Sequence, residues 1–162
     1  MQRHQGIRRR VAGIGFSLVL GAFLIAPVVS ASSATIVSGL QVPDTSGACE
    51  DSPGAVVSYL MEGSLSGCWY VETVDYKNVS QTGVLATGTE RFVGCLGATC
   101  GTLSTTFIFT AKYAGDVEVH GRCHHPITGG TGGFEGASGS LSFKDLPSGC
   151  ATYHGVVRLA GS

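Results

Sequence analysis

The chain has 162 residues, of which 43% are hydrophobic and only 13% are charged, and it contains 25 glycines and six cysteines. Its formal net charge is −1, which becomes −5 without residues 1–31, because six basic residues then remain against 11 acidic ones. A mildly acidic chain with scattered charges gives no electrostatic reason to expect nucleic acid or an anionic membrane as a partner.

The first 31 residues have the pattern of an export signal. Arg3 and residues 8–10 form a basic region, and residues 11–29 are almost wholly apolar. Val29-Ser30-Ala31 supplies the small residues that signal peptidases read. We predict that residues 1–31 are a signal peptide and that the mature protein is secreted and leaves the membrane. An uncleaved anchor is the alternative, because the apolar run is long enough to span a bilayer. Sec and twin-arginine export both stay open.

The exported part divides into a short polar segment and one domain. Residues 32–55 are rich in Ser, Gly, Pro, Asp and Thr, which is typical of a loose segment. We therefore predict a flexible N-terminal arm over residues 32–55 and a single folded domain over residues 56–162.

From residue 56 onward, short β-branched and aromatic runs are separated by Gly, Asn, Asp and Pro, and no stretch has helical periodicity. The predicted strands are Val56–Glu62, Cys68–Tyr76, Val84–Val93, Leu103–Tyr113, Val117–Cys123, Ser138–Lys144 and Thr152–Leu159. Seven or eight strands with short links predict an all-β sandwich or barrel. A three-residue loop, Ala114-Gly115-Asp116, is favoured because it places apolar residues opposite apolar residues on its flanking strands.

The cysteines indicate a disulfide framework. All six follow the leader: Cys49, Cys68, Cys95, Cys100, Cys123 and Cys150. An even number behind an export signal predicts three disulfides and no free thiol, although sequence alone leaves fifteen connectivities. Cys95 and Cys100 flank a short hairpin loop and are expected to pair. An up-and-down strand order would bring Cys68 and Cys123 to one end of the sheet, which leaves Cys49 and Cys150.

A metal site is the competing interpretation of the same cysteines. Cys95, Cys100 and the run Cys123-His124-His125 have a composition that would suggest zinc in a cytosolic protein. Because an export signal precedes them, we expect no metal and no cofactor.

The candidate site residues are polar side chains on apolar faces. Glu90 alternates in phase with Val84, Ala86 and Phe92, so we predict that it points into the interior. Tyr70 and Glu72 form a similar set one strand earlier, and His120 is a further candidate in the cluster His120, His124 and His125, whose members otherwise read as exposed polar residues. The four candidate ligand-binding residues are Glu90, Glu72, Tyr70 and His120. Alternatively, these faces are solvated or each glutamate pairs with a nearby arginine.

One stretch carries a family resemblance. Residues 130–143, Gly-Thr-Gly-Gly-Phe-Glu-Gly-Ala-Ser-Gly-Ser-Leu-Ser-Phe, followed by Tyr153-His154-Gly155, resemble the closing strands of the allene oxide cyclase-like barrels, a superfamily that includes the dirigent proteins. Residues 63–70 and 121–126 resemble its uncharacterised secreted bacterial members. The resemblance implies an antiparallel barrel of eight strands, often oligomeric, with an apolar lumen. It assigns no functional residue outside the glycine segment.

Three functions follow from these observations. The first is a secreted, disulfide-stabilised barrel that binds a small apolar molecule or a partner surface. The second is a cyclase- or isomerase-like enzyme acting on an apolar substrate in the lumen. The third is a structural, envelope-associated protein whose lumen is packed shut. A homo-oligomer is compatible with all three.

Overall fold

A computed structural model describes residues 33–49, 54–146 and 148–161, and the regular structure within these ranges is entirely β. Its strands are β1 (Ser33–Pro43), β2 (Val57–Gly63), β3 (Leu65–Asn78), β4 (Gly83–Leu96), β5 (Thr99–Ala114), β6 (Val117–Gly132), β7 (Ser138–Asp145) and β8 (Ala151–Leu159). The prediction of an all-β chain is confirmed. The predicted signal peptide lies outside the described residues.

The eight strands close into a ring. Each strand pairs antiparallel with the next one in the chain, and β1 completes the circle by pairing with β8 from Ser33↔Leu159 to Gln41↔Ala151. Side chains alternate between the inner and outer surfaces. Along β5, for example, Leu103, Thr105 and Phe107 are buried, whereas Ser104 and Ile108 are exposed. Closure therefore gives the chain a single interior, enclosed by all eight strands.

The predicted flexible arm requires a correction. Residues 33–43 form β1, which lies between β2 and β8 and is needed to close the ring. Because the segment is rich in serine and glycine, its composition did not predict a strand, although Val37 is fully buried within it. The folded domain thus begins at least 23 residues before the predicted boundary at residue 56, because pairing on both sides supplies the order that local composition does not.

The predicted three-residue loop between β5 and β6 is also wrong. Ala114 pairs with Val117, so the turn contains two residues, and Gly115 adopts a φ of 64° there. A register shift near Lys112 and Tyr113 then inserts one extra residue on β6. This bulge places Phe109 opposite Cys123. Apolar residues therefore face apolar residues, as predicted, but a bulge and not a longer loop produces the match.

Two disulfides replace the three that the cysteine count predicted. Cys95 pairs with Cys100, as predicted, directly across the β4–β5 hairpin. Cys49 pairs with Cys68, whereas Cys123 and Cys150 are free thiols.

The predicted Cys68–Cys123 bond fails because of side-chain direction, and a Cys49–Cys150 bond does not form because Cys49 bonds to Cys68. Cys68 is the partner of Val93 on the outer surface, next to the inward-pointing Trp69. Cys123 packs against the buried clusters of the interior. Two cysteines on opposite surfaces of one sheet cannot bond, so Cys68 bonds instead to Cys49 in the segment after β1.

The interior has two apolar clusters of unequal size. The larger one contains Val37, Met61, Leu65, Trp69, Phe92, Leu103, Ile127, Phe134, Ala137, Leu141, Phe143, Ala151, Tyr153 and Val157. It fills the end of the ring that carries the β4–β5 turn and the segment between β6 and β7, which we call the closed end. The smaller cluster, Val71, Ala86 and Phe107, lies toward the β5–β6 turn, which we call the open end.

Pairing is incomplete at the open end. β2 pairs with β3 only as far as Val71, and β7 pairs with β6 only from Cys123 onward. The first six residues of β6 therefore lie beyond the register with β7, while they still pair with β5. Strands β3 to β6 thus project past their neighbours as a four-stranded extension, and a gap separates the beginning of β6 from the end of β7.

Candidate functional site

A buried carboxylate and a buried imidazole meet on the inner surface between the two clusters. Glu90 on β4 lies directly opposite Thr105 on β5, and His125 comes from β6, the next strand around the ring. The relative exposures of the three residues are 5%, 2% and 3%. Three neighbouring strands therefore bring three polar side chains together in an interior that is otherwise apolar.

The three side chains form one hydrogen-bonded unit centred on a single carboxylate oxygen. Thr105 Oγ1 donates to Glu90 Oε2 at 3.0 Å, and His125 Nδ1 lies 2.5 Å from the same oxygen. When the Glu90 carboxylate is ionised it can only accept hydrogen bonds, and Nδ1 is then the donor in this contact. The carboxylate thereby fixes both the orientation of the imidazole and the nitrogen at which it donates.

The other ring nitrogen of His125 has no partner. Within the described residues, His125 Nε2 and Trp69 Nε1 are the buried side-chain nitrogen or oxygen atoms that make no hydrogen bond. The imidazole is packed between aromatic rings: its centroid lies 4.3 Å from that of Phe143 and 5.7 Å from that of Trp69. An oriented imidazole with a free Nε2 in an apolar setting can accept or donate one hydrogen bond to a guest, or transfer one proton.

Two neighbouring acids are held in their neutral forms. Burial, followed by the Glu90 carboxylate, raises the pKa of Tyr59. Burial and then Glu90 also raise the pKa of the Cys123 thiol. Both side chains pack against the smaller cluster beside the Glu90–His125 pair. They therefore remain protonated at neutral pH and contribute hydrogen-bond donors and apolar surface, not negative charge.

A groove of about 1390 Å³ reaches this region from the open end. Its lining includes Cys123 and Phe143 on the inner surface, at the gap between β6 and β7. The Phe143 ring is also the nearest aromatic neighbour of His125. Phe143 therefore contacts both the groove and the imidazole, whereas Glu90, Thr105 and His125 do not line the groove.

The prediction that Glu90 points inward agrees with its burial, but the expected space around it is filled. A Cβ at Gly88 would lie 2.5 Å from the Phe107 ring, so that ring occupies the room that the glycine leaves. A buried carboxylate without a partner is costly. The structure shows pairing, with His125 and Thr105 as the partners.

Tyr70 and Glu72 do not join Glu90. Glu72 lies at a register shift of β3, and its carboxylate accepts a hydrogen bond from Arg91 Nε at 3.0 Å. Tyr70 lies opposite Arg91, whose guanidinium carbon is 4.8 Å from the centre of the tyrosine ring. The prediction gave β3 the wrong phase: Trp69 and Val71 belong to the interior clusters, so the alternating Tyr70 and Glu72 face outward. Glu72 forms the surface ion pair that was the alternative.

His120 is exposed opposite Lys112, whereas His125 is buried, so the expected roles within the histidine cluster are reversed. The predicted strand ended at Cys123. β6 instead continues through Pro126 to Gly132, which turns Cys123, His125 and Ile127 inward. The alternation of these three residues was the signal that could have identified His125.

Two of the ligands that the zinc interpretation used, Cys95 and Cys100, are bonded to each other. The two disulfides suggest an oxidising, extracellular environment. Among the described residues, no helix is long and apolar enough to cross a membrane.

Comparison with known proteins adds no assignment. No protein-family model matches the chain, and no curated protein is similar to it at a significant level.

Proposed function

We propose that this protein is an exported binding protein that takes one small, mainly apolar molecule into the interior of its closed sheet. The observation that carries the proposal is the free Nε2 of buried His125, oriented by Glu90. A buried polar atom without a partner costs about 1–3 kcal/mol. A guest with one hydroxyl or carbonyl group would remove that cost, and the aromatic rings around the imidazole would contact its apolar part.

We also infer that the fold is an allene oxide cyclase-like barrel. Two features support this inference: the eight antiparallel strands follow one another around the ring in chain order, and the glycine-rich residues 130–143 connect two of them. Residues 130–143 form the end of β6, a tight turn and most of β7, with Phe134 fully buried as a plug of the closed end. The predicted leader and the two disulfides support export.

The single tryptophan makes binding measurable. Trp69 packs edge-on against His125, so a guest at Nε2 should change its fluorescence. We would titrate the folded protein with 1-octanol and with octane. For the wild type, we expect both compounds to bind. The test variant is Glu90→Gln/His125→Leu, which removes both members of the pair and leaves no unpaired buried charge.

The variant should bind octanol about tenfold more weakly, the equivalent of one lost hydrogen bond, and should bind octane as the wild type does. His124→Leu is the matched control, because His124 is the exposed neighbour on the same strand, and it should change neither affinity. Unchanged octanol binding in the folded double variant would refute the role of the pair. If neither compound binds the folded wild type, the packed-shut structural interpretation prevails.

Catalysis is the second candidate, and the carboxylate–imidazole geometry favours it specifically. An imidazole oriented through Nδ1 with a free Nε2 is the usual arrangement of a general acid or base. A cyclase- or isomerase-like activity would require turnover of an apolar substrate, such as a lipid epoxide, that is lost in Glu90→Gln while octanol binding persists. Absence of turnover by the wild type would leave binding as the function, and equal turnover by the wild type and Glu90→Gln would refute the role of the pair in catalysis.

A further inference from the structure

The outer surface of the last four strands carries cationic and imidazole side chains that the interior site does not use. They are Lys112 on β5, His120, Arg122 and His124 on β6, Lys144 on β7 and His154 on β8, and we call them the basic face. Three of the six described Lys and Arg residues belong to this face, and the remaining three are Lys77, Arg91 and Arg158. The net negative charge of the exported chain therefore conceals a polarised surface.

Strand register makes the basic face continuous. Lys112 pairs with His120, and Ser142 on β7 lies between His124 and His154 on its two neighbouring strands. Along β6 the side chains at 120, 122 and 124 share one surface, so they recur about every 7 Å. The face therefore presents cations and imidazoles in a row along one strand and across three others.

No side chain of the basic face forms an ion pair with a carboxylate among the described residues. The ion pairs found there are Arg91–Glu72 and His125–Glu90, and neither involves the basic face. The nearest acids are directed elsewhere. Glu118 is opposite Tyr113, and Asp145 is opposite the buried Ala151, which places both on the inner side of the gap. Asp116 lies in the β5–β6 turn.

The basic face is part of the wall of the groove described above. Five of its six members line that groove, namely His120, Arg122, His124, Lys144 and His154. Asp116, Glu118 and Asp145 line it as well, and Glu118 and Asp145 lie beside Gly121 on the inner side of the gap. The cationic part is thus a concave strip on one wall of the groove, and the carboxylates on the facing inner side would repel a negative chain and so limit its position.

We propose that the basic face binds a linear anionic polysaccharide. A concave strip fits a flexible chain better than it fits a planar membrane. The described residues of the strip include no Phe, Tyr or Trp on which nucleic acid bases could stack; Phe143, which also lines the groove, is buried on the inner surface. Hydroxyl groups of Thr110, Ser142 and Thr152 lie between the charged side chains, where they can bond to sugar hydroxyls.

The experiment uses the full mature protein with polygalacturonate as the probe and dextran as the neutral polymer. We expect polygalacturonate to bind, binding to weaken as salt increases, and dextran not to bind. Arg122→Gln/Lys144→Gln should weaken polygalacturonate binding about tenfold, because two charge contacts are lost. Lys77→Gln, an exposed lysine on β3, is the control and should change binding less than about twofold.

Several results would overturn the proposal. These are equal binding of dextran, an equal loss in Lys77→Gln, or tighter binding of duplex DNA or of vesicles containing phosphatidylglycerol than of polygalacturonate. Octanol binding by Arg122→Gln/Lys144→Gln should be unchanged, so this proposal and the one for the interior can fail separately.

Discussion

The two ends of the ring differ in how fully their side chains and backbone groups are paired. At the closed end, 14 buried residues pack together, and the hydroxyl of Tyr153 receives a hydrogen bond from the backbone N–H of Leu65 at 2.8 Å. At the open end, three residues form the buried cluster, and Val74 and Tyr76 are 46% and 58% exposed. The Glu90–His125 pair lies at the boundary between them.

This difference separates stability from access. The closed end buries large apolar surfaces, which is the main favourable contribution to folding. The open end leaves strand edges and a gap beside β6, which cost stability and leave a groove open to solvent. We infer that one end holds the ring together and that the other end is free to serve recognition.

The largest effect should come from the plug of the closed end. Phe134 is fully buried with its ring centre 6.2 Å from that of Phe92, so Phe134→Ala should lower the free energy of unfolding by about 3–5 kcal/mol. Phe109→Ala, the matched change in the half-buried set of the open end, should cost about 1–2 kcal/mol. Urea unfolding measures both. Equal losses would mean that the two ends contribute alike.

Removal of each disulfide should also lower the free energy of unfolding by different amounts, but the difference should be smaller than that between Phe134→Ala and Phe109→Ala. Cys49–Cys68 closes a span of 19 residues and Cys95–Cys100 a span of five. Loop-closure entropy predicts losses of about 3 and about 2 kcal/mol for the two Cys→Ser double variants. The larger loss should belong to Cys49→Ser/Cys68→Ser, again by urea unfolding, because its bond secures the segment between β1 and β2.

The thiol count checks this pairing. Native, non-reduced protein should incorporate alkylating reagent at Cys123 and Cys150 only, and Cys123 should react more slowly because burial raises its pKa and disfavours the thiolate. No incorporation at all would restore the framework of three disulfides. Labelling of Cys49 or Cys68 would contradict the bond between them.

The smallest predicted effect lies at the gap of the open end. Burial, and then the Asp145 carboxylate, raise the pKa of Glu118. A raised carboxyl pKa favours folding while the group is protonated, and this contribution is lost as pH rises through the folded value. Glu118→Gln should therefore stabilise the protein by less than about 1 kcal/mol at pH 7 and have no effect below about pH 4.

Thermal unfolding across this pH range measures the effect. In an Asp145→Asn background the gain at pH 7 should shrink, because the second carboxylate is absent. A gain that persists undiminished at acidic pH would show that the substitution acts through packing and not through charge.

Local sequence was sufficient for most of the strands. Alternating apolar residues and glycine-containing turns identified the positions of seven strands, from β2 to β8, because each is bounded by residues that interrupt a strand. β1 lacked such a signal. Its order comes from pairing with β2 and with β8, and the latter partner lies more than a hundred residues away in the chain.

The interior site was likewise predictable from the sequence only in part. Sequence alone placed Glu90 inward, since its strand is uninterrupted and period two settles which surface a side chain faces. Only the tertiary structure decided its partner, because His125 is 35 residues away and its strand continues through a proline. Bulges at Glu72 and near Tyr113 and the choice of Cys49 as the partner of Cys68 also depended on the closed ring. Side-chain direction is a local property of a strand, but register and pairing are set by neighbours that the chain brings together only when the ring closes.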